Sequence, residues 1–176
     1  MKETITRLFD TYEHAANAVA ALKQAAVPEG DISLVANSDT YSEYGSESES
    51  EAPAGAAIGG SLGAGAGLLA GIGILAIPGL GPVVAAGWLA ATALGAAAGA
   101  VAGGVIGALV DSGVPAEDAH VYAEGIRRGG TLVSVRTERP AAIEEIFNSH
   151  ACVDVADKRA RYEDTGWRGS DTPNFG

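Results

Sequence analysis

The sequence predicts an α+β protein in which one small sheet domain is interrupted by a long apolar helical hairpin. Strand-like and helix-like patterns alternate before residue 40 and again after residue 113. Between these halves, 59 consecutive residues, Ala52 to Val110, contain no Asp, Glu, Lys, Arg, His, Asn or Gln. Within that block, glycines recur at every fourth position in two long rows. These three observations divide the chain into a charged sheet domain and an uncharged insertion.

The first half of the sheet domain predicts the order strand, helix, strand. Residues 4–9 are rich in Thr and Ile and predict a strand, although Arg7 shares a face with apolar neighbours. Apolar residues at helical spacing then predict a helix, which Pro28 and Gly30 end. The stripe of this helix consists of Ala15, Val19, Leu22 and Ala26. In the strand that follows, the alternating apolar residues are Ile32, Leu34 and Ala36.

The second half predicts the order helix, strand, helix, strand. Pro115 suits the first turn of a helix, and Gly129 with Gly130 ends that helix. The stripe of the helix consists of Ala119, Tyr122 and Ile126. Residues 131–137 have the strongest strand pattern in the chain. The stripe of the next helix consists of Ile143, Ile146, Phe147 and His150, and Val153 with Val155 predicts a last short strand.

Without the apolar block, the order of elements is β-α-β, helix, β-α-β, which is typical of a ferredoxin-like split βαβ domain. The two halves together hold about 90 residues, enough for one small core. Because neither half has a complete sheet, both ends of the insertion must return to one place, which a helical hairpin allows. The predicted organisation is a ferredoxin-like domain from 1–40 and 113–157, an acidic linker 41–51, the hairpin 52–112 and a tail 158–176.

The two glycine rows predict close helix packing. Residues four apart lie along one ridge of a helix, and a ridge of glycines lets another backbone approach closely. This small-xxx-small pattern is typical of membrane helix interfaces. The rows consist of Gly55, Gly59, Gly63, Gly67, Gly71, Gly95, Gly99, Gly103 and Gly107. The hairpin turn between the two arms is predicted at Pro78, Gly79, Gly81 and Pro82.

The lengths of the arms favour a membrane. As helices, residues 54–77 and 83–110 would span about 36 Å and about 42 Å, and each exceeds the ~30 Å hydrocarbon core. Trp88 suits an interfacial anchor. Since residues 1–10 contain no signal sequence, we expect a hairpin in the cytoplasmic membrane with both termini in the cytoplasm. The alternative is a soluble cytoplasmic homo-oligomer, with the hairpins buried in its core.

Composition argues against several other functions. A net charge of −11 disfavours nucleic acid, because affinity there comes mainly from basic groups. One cysteine excludes an intrachain disulfide, and His150 with Cys152 supplies too few ligands for zinc. We therefore predict no catalytic residue, no cofactor and no metal. The expected partners are further copies of the chain and the lipid bilayer, and a small-molecule ligand of the ferredoxin-like domain stays an alternative.

The charged segments beside the domain predict flexible chain. Glu43, Glu47, Glu49 and Glu51 alternate with serines in the linker, which is typical of a solvated segment. In the tail, four basic residues accompany Tyr162 and Trp167, but three acidic residues nearly cancel their charge. The basic residues are Lys158, Arg159, Arg161 and Arg168. A mobile tail is the simplest prediction.

Three segments together resemble a known family. The segments are DISLVA (31–36), AIPGLGP (76–82) and residues 113–135, which begin with GVP and end with YAEGIRRGGTLVSV. With the double zipper, they resemble the bacterial general stress protein 17M, or heat-induced stress protein, family. The resemblance implies a small, membrane-associated bacterial protein of the stress response, and it brings no catalytic residues. We therefore expect a non-enzymatic protein that self-assembles through its glycine zippers.

Overall fold

The computed structural model of the protein describes residues 2–40, 73–77, 81–89 and 104–169. These residues form an antiparallel sheet of five strands with helices packed on both of its faces. The strands are β1 (Glu3–Phe9), β2 (Ile32–Asn37), β3 (Gly73–Ile77), β4 (Gly81–Gly87) and β5 (Thr131–Thr137). They lie in the order β1-β5-β2-β4-β3. The predicted α+β class is confirmed.

Five α-helices that lie wholly within the described residues accompany the sheet. They are α1 (Tyr12–Gln24), α2 (Gly104–Asp111), α3 (Ala116–Arg127), α4 (Pro140–Ser149) and α5 (Val155–Asp164). The hydroxyl of Thr11 caps α1 by accepting a hydrogen bond from the backbone N–H of His14 at 3.3 Å. The carboxylate of Asp154 caps α5 by accepting from two backbone N–H groups of its first turn. A short 3-10 helix, Glu29–Asp31, precedes β2.

Strand β5 lies at the centre of the three strands that come from the two halves of the domain. It pairs antiparallel with β1 on one side and with β2 on the other. Strands β1 and β2 therefore run parallel to each other, and α1 connects them. On the outer side of β1, Val153 forms a single antiparallel bridge with Leu8. The predicted last strand is reduced to this bridge, because Val155 already begins α5.

Helices α1 and α4 cover one face of the sheet. The rings of Phe9 and Phe147 meet edge to face there, with centroids 5.9 Å apart. The buried stripe residues of the two helices are Ala15, Val19, Leu22, Ile143 and Phe147, as predicted. Ala26 departs from the predicted stripe, because it lies beyond the end of α1 with an exposed side chain and a φ of 59°.

Helices α2 and α3 cover the opposite face. From α3, the predicted stripe of Ala119, Tyr122 and Ile126 packs onto Leu8 and Leu132 of the sheet. From α2, the packing residues are Val105, Ala108 and Leu109, which lie in one cluster with Val83 and Ala85 of β4. The end of the insertion thus contributes to the core of the domain, and the described residues form three layers.

The insertion departs from the predicted helical hairpin. Residues 73–77 in β3 and 83–87 in β4 form strands where the sequence predicts helix, so the helix prediction is wrong for these residues. Strand β4 pairs with the outer edge of β2 and buries Val83 fully, because that edge offers backbone groups that need partners. At Gly87, φ is +87° and an added Cβ would lie 2.2 Å from the backbone oxygen of Ile32. Close backbone approach within the sheet therefore requires this glycine.

Most of the predicted zipper lies outside the described residues. This is the case for Gly55, Gly59, Gly63, Gly67, Gly71, Gly95, Gly99 and Gly103, and for Pro78 and Gly79 of the predicted turn. Gly81 and Pro82 begin β4. Gly107 lies in α2, where an added Cβ would meet no atom of the described chain within 4 Å.

The predicted transmembrane helix is not present in the described part of the chain. The longest helix there is α1, with 13 residues. No helix among residues 2–40, 73–77, 81–89 and 104–169 is long and apolar enough to cross a bilayer. The predicted transmembrane helix is therefore wrong over residues 73–77 and 83–87, which form strands, whereas residues 54–72 and 90–103 of the predicted arms lie outside the described residues.

The C-terminal segment also differs from the prediction. A mobile tail is predicted from residue 158, but residues 158–164 belong to α5. The ring of Tyr162 is buried against the domain, and Lys158 forms an ion pair with Asp10. Side-chain contacts with distant parts of the chain therefore hold this segment. The acidic linker 41–51 and residues 170–176 lie outside the described residues.

Candidate functional site

The glycines of the GIRRGG run are explained by packing at the C-terminal end of α3. An added Cβ at Gly125 would lie 2.4 Å from a methyl carbon of Leu8, so α3 comes close to β1 only because this residue has no side chain. Gly129 has a φ of +94° and ends the helix. At Gly130, a Cβ would lie within 3.0 Å of two backbone oxygens, those of Gly125 and Phe9.

A buried carboxylate organises the polar residues of the same run. Both oxygens of Glu124 accept hydrogen bonds from Arg127, at 2.6 and 2.7 Å, and one also accepts from Nε of Arg128 at 2.6 Å. Burial by itself raises the pKa of Glu124, but the two arginines outweigh it and hold the pKa below its ordinary value. The glutamate is therefore an ionised centre that fixes both arginines.

Arg128 connects this centre to α5. Its guanidinium lies 4.4 Å from the ring centroid of Tyr162, and Nη2 donates to the hydroxyl of Thr165 at 3.1 Å. The ring of Tyr162 also meets Trp167 edge to face, with centroids 5.9 Å apart. Burial raises the pKa of Tyr162, which keeps the phenol neutral. Helix α5 and the turn after it are thus attached to α3 through an aromatic and cationic stack.

An open cleft of about 400 Å³ lies between α3 and α5. It is lined by Ala116, Glu117, His120, Arg159, Glu163, Trp167 and Gly169. Arg159 donates across the cleft wall to Glu117 at 3.2 Å and to Asp118 at 2.7 Å. The sequence placed Arg159 and Trp167 in a mobile tail, and it gave no signal that they would face the first turn of α3.

A second feature is the outward side of α2. Ile106 and Gly107 are half-buried there, and Val110 is 41% exposed. Val110 is the one large hydrophobic side chain that is exposed in the described part of the chain. We call this outward side the α2 face; it consists of Ile106, Gly107 and Val110. It is uncharged and belongs to the insertion.

The predicted membrane anchor Trp88 belongs to a charged cluster of the sheet domain. The guanidinium of Arg136 lies 4.9 Å from its ring centroid, and Arg136 also reaches Asp31 at 3.4 Å. Asp31 is buried and forms a shorter ion pair with Lys2 at 2.5 Å. Trp88 thus packs beneath a cation of β5 in the described chain.

His150 and Cys152, the two candidate metal ligands of the sequence, form hydrogen bonds with residues of α4. The thiol of Cys152 donates to the amide oxygen of Asn148 at 3.4 Å, and burial raises its pKa. Nδ1 of His150 lies 2.8 Å from the carbonyl oxygen of Ile146 and 2.9 Å from the hydroxyl of Ser149. Among the described residues, no group of three His, Cys, Asp or Glu side chains could hold a metal ion.

Comparison of the chain with protein-family models, with curated proteins and with solved structures gives no match. Three features of the described residues bear on the function of the protein. These are the α2 face, the ionised centre around Glu124, and the cleft between α3 and α5.

Proposed function

We propose that this protein is a non-catalytic, self-associating protein that uses the uncharged insertion as its association surface. The observation that carries the proposal is the α2 face. Val110 is 41% exposed beside Gly107, where the helix surface is open to an approaching backbone. A glycine beside an apolar side chain lets a second helix backbone approach closely, as in small-xxx-small contacts.

The distribution of charge supports self-association at this place. None of the 22 acidic and 11 basic residues lies between Ala52 and Val110, so two insertions can meet there while the exposed Asp111 at the end of α2 stays in solvent. The net charge of −11 is confined to the rest of the chain and opposes association elsewhere. Contact through the insertion keeps the acidic parts of two copies apart.

The proposed fold of the host domain is the ferredoxin-like split βαβ arrangement. It is supported by the order Val153, β1, β5, β2 and by the parallel direction of β1 and β2 on either side of β5. A ferredoxin-like domain has two layers and leaves one face of its sheet uncovered. Helices α2 and α3 would then be an additional layer on that face. The resemblance to the stress-protein family suggests that the assembly acts when the cell is stressed.

Sedimentation velocity of the full chain over a range of concentrations tests the proposal. We expect a concentration-dependent oligomer in the wild type. Val110→Glu should weaken association at least about tenfold, because it places a charge on the α2 face. Gly107→Leu should also weaken association, since the larger side chain blocks close approach while favouring the helix itself.

A matched control adds the same charge elsewhere. Ala141 is exposed on α4, so Ala141→Glu should associate like the wild type. If Val110→Glu and Gly107→Leu keep the wild-type sedimentation profile, the α2 face is not the association surface. A wild type that stays monomeric at every concentration contradicts self-association altogether.

A further inference from the structure

We propose that the cleft between α3 and α5 binds a small alkylammonium cation. The proposal is separate from self-association, because the cleft is lined by α3, α5 and the turn after α5, and none of its lining residues belongs to the insertion. Its volume of about 400 Å³ lies in the range of small-molecule sites.

The walls of the cleft are held in place before any ligand arrives. Arg159 of α5 bonds Glu117 and Asp118 in the first turn of α3, which fixes the distance between the two helices. The backbone N–H of Trp167 donates to the carbonyl oxygen of Tyr162 at 3.0 Å, and the two rings meet edge to face. A cleft with fixed walls loses little conformational entropy on binding.

The aromatic wall favours a cation. Trp167 is half-buried and lines the cleft, and its ring meets the buried ring of Tyr162 edge to face. Tryptophan is the strongest partner in cation–π contacts, and recognition of alkylated ammonium groups depends on such rings. An ammonium group that enters the cleft therefore meets an indole that the fold already positions.

The charges of the cleft favour the same class of ligand. The basic side chains of the lining are His120 and Arg159, and Arg159 forms ion pairs with the carboxylates of Glu117 and Asp118. Glu163 also lines the cleft, and it forms no ion pair with another described residue. An anion would meet carboxylates at the cleft, whereas a cation gains an ion pair with Glu163 and is attracted by the net charge of −11.

Choline and its neutral isostere 3,3-dimethylbutan-1-ol provide a sharp test, because they have the same shape and differ in charge. We would titrate each into the isotopically labelled full chain and follow the indole N–H resonances of its two tryptophans by NMR. Choline should shift the resonance of Trp167 and leave that of Trp88 in place. The alcohol should bind at least about threefold more weakly, which is the lower limit for a cation–π contact. Raising the ionic strength should weaken choline binding alone.

Three variants locate the site. Trp167→Leu should weaken choline binding about 3- to 30-fold, and Trp167→Phe should retain part of the affinity. Glu163→Gln should weaken it about two- to fivefold, as expected for a partly exposed ion pair. Glu145→Gln is the control, because Glu145 is exposed on α4 and lies outside the cleft.

Several results would overturn the proposal. Equal affinity for choline and the alcohol would show that the charge is not recognised. A shift of Trp88 without a shift of Trp167, or unchanged binding in Trp167→Leu, would place the ligand elsewhere. An absence of any shift in the wild type would show that the cleft does not bind this class of ligand. The sedimentation profile of the apo protein would be unaffected by any of these results, so self-association is judged independently.

Discussion

The two faces of the sheet are covered by different helices, and they are stabilised by different kinds of contact. The face under α1 and α4 is filled by large apolar side chains, such as Phe9 and Phe147. The face under α2 and α3 also contains buried hydroxyls, with Thr6 Oγ1 and Ser134 Oγ 2.9 Å apart. Tyr122 of α3 completes this arrangement by donating to the carbonyl oxygen of Thr6 at 3.0 Å.

The difference separates two ways of stabilising one sheet. The first face depends on filled volume, whereas the second depends on close approach at Gly125 and on satisfied polar groups. Loss of a large side chain should therefore be most damaging on the first face. Changes of protonation should act mainly through the second face, where Tyr122 and Glu124 are buried.

The largest expected effect is on the first face. Phe147→Ala should lower the free energy of unfolding by about 3–5 kcal/mol, because it removes a fully buried ring and leaves a cavity beside Phe9. Chemical denaturation measures this value. Glu145→Ala on the exposed side of α4 should change it by less than about 0.5 kcal/mol. A loss below about 1 kcal/mol in Phe147→Ala would show that this face does not depend on filled volume.

An alkaline pH titration examines the second face. Burial raises the pKa of Tyr122 to about 12 from the ordinary value of 10.0. Above pH 10 the unfolded chain loses this proton before the folded chain does, so stability should fall by roughly 2 kcal/mol between pH 10 and pH 12. Tyr122→Phe should reduce this slope, although it also removes the bond to Thr6. An equal slope in both proteins would contradict the assignment to Tyr122.

An effect of comparable size with the opposite pH dependence is expected at Glu124. Its folded pKa lies below the ordinary value of 4.5, so its contribution is present above pH 4.5 and is lost as the pH falls through the folded pKa. At neutral pH, Glu124→Gln should cost about 1–3 kcal/mol, because Arg127 and Arg128 lose charged acceptors. The variant should also show a shallower loss of stability in acid than the wild type. Stability that is unchanged at neutral pH would contradict a structural role for this carboxylate.

The sequence predicts the helices of the two halves much better than the strands of the insertion. Ala15, Val19 and Leu22 form the buried stripe of α1 as expected, because an amphipathic period is a local property. The strands β3 and β4 could not be predicted this way. Glycine, alanine and valine fit either structure, and the outer edge of β2 decides the outcome through pairing. The absence of charge and the length of each arm favour helix in the sequence, whereas residues 73–77 and 83–87 form strands.

The cleft could not be predicted from the sequence for a related reason. Arg159 and Asp118 are 41 residues apart in the chain, and only the packing of α5 on α3 brings them together. The composition of the segment after residue 157 is polar and nearly balanced in charge, which is also typical of a free tail. Tyr162 and Trp167 were the local signal that the segment packs, because large aromatic rings are rarely left fully solvated.

The central position of β5 has a consequence for how the protein is made. Thr6 on β1 and Ser134 on β5 are 128 residues apart, so β1 and β2 are synthesised long before the strand that joins them. At a translation rate of about 5–20 residues per second, β1 waits roughly 6 to 26 seconds for its partner. During that interval the uncharged insertion also leaves the ribosome, before β5 is available to complete the sheet. The nascent chain is therefore most exposed to misassociation just before β5 leaves the ribosome, and a chaperone that binds apolar segments at this stage would increase the yield of folded protein.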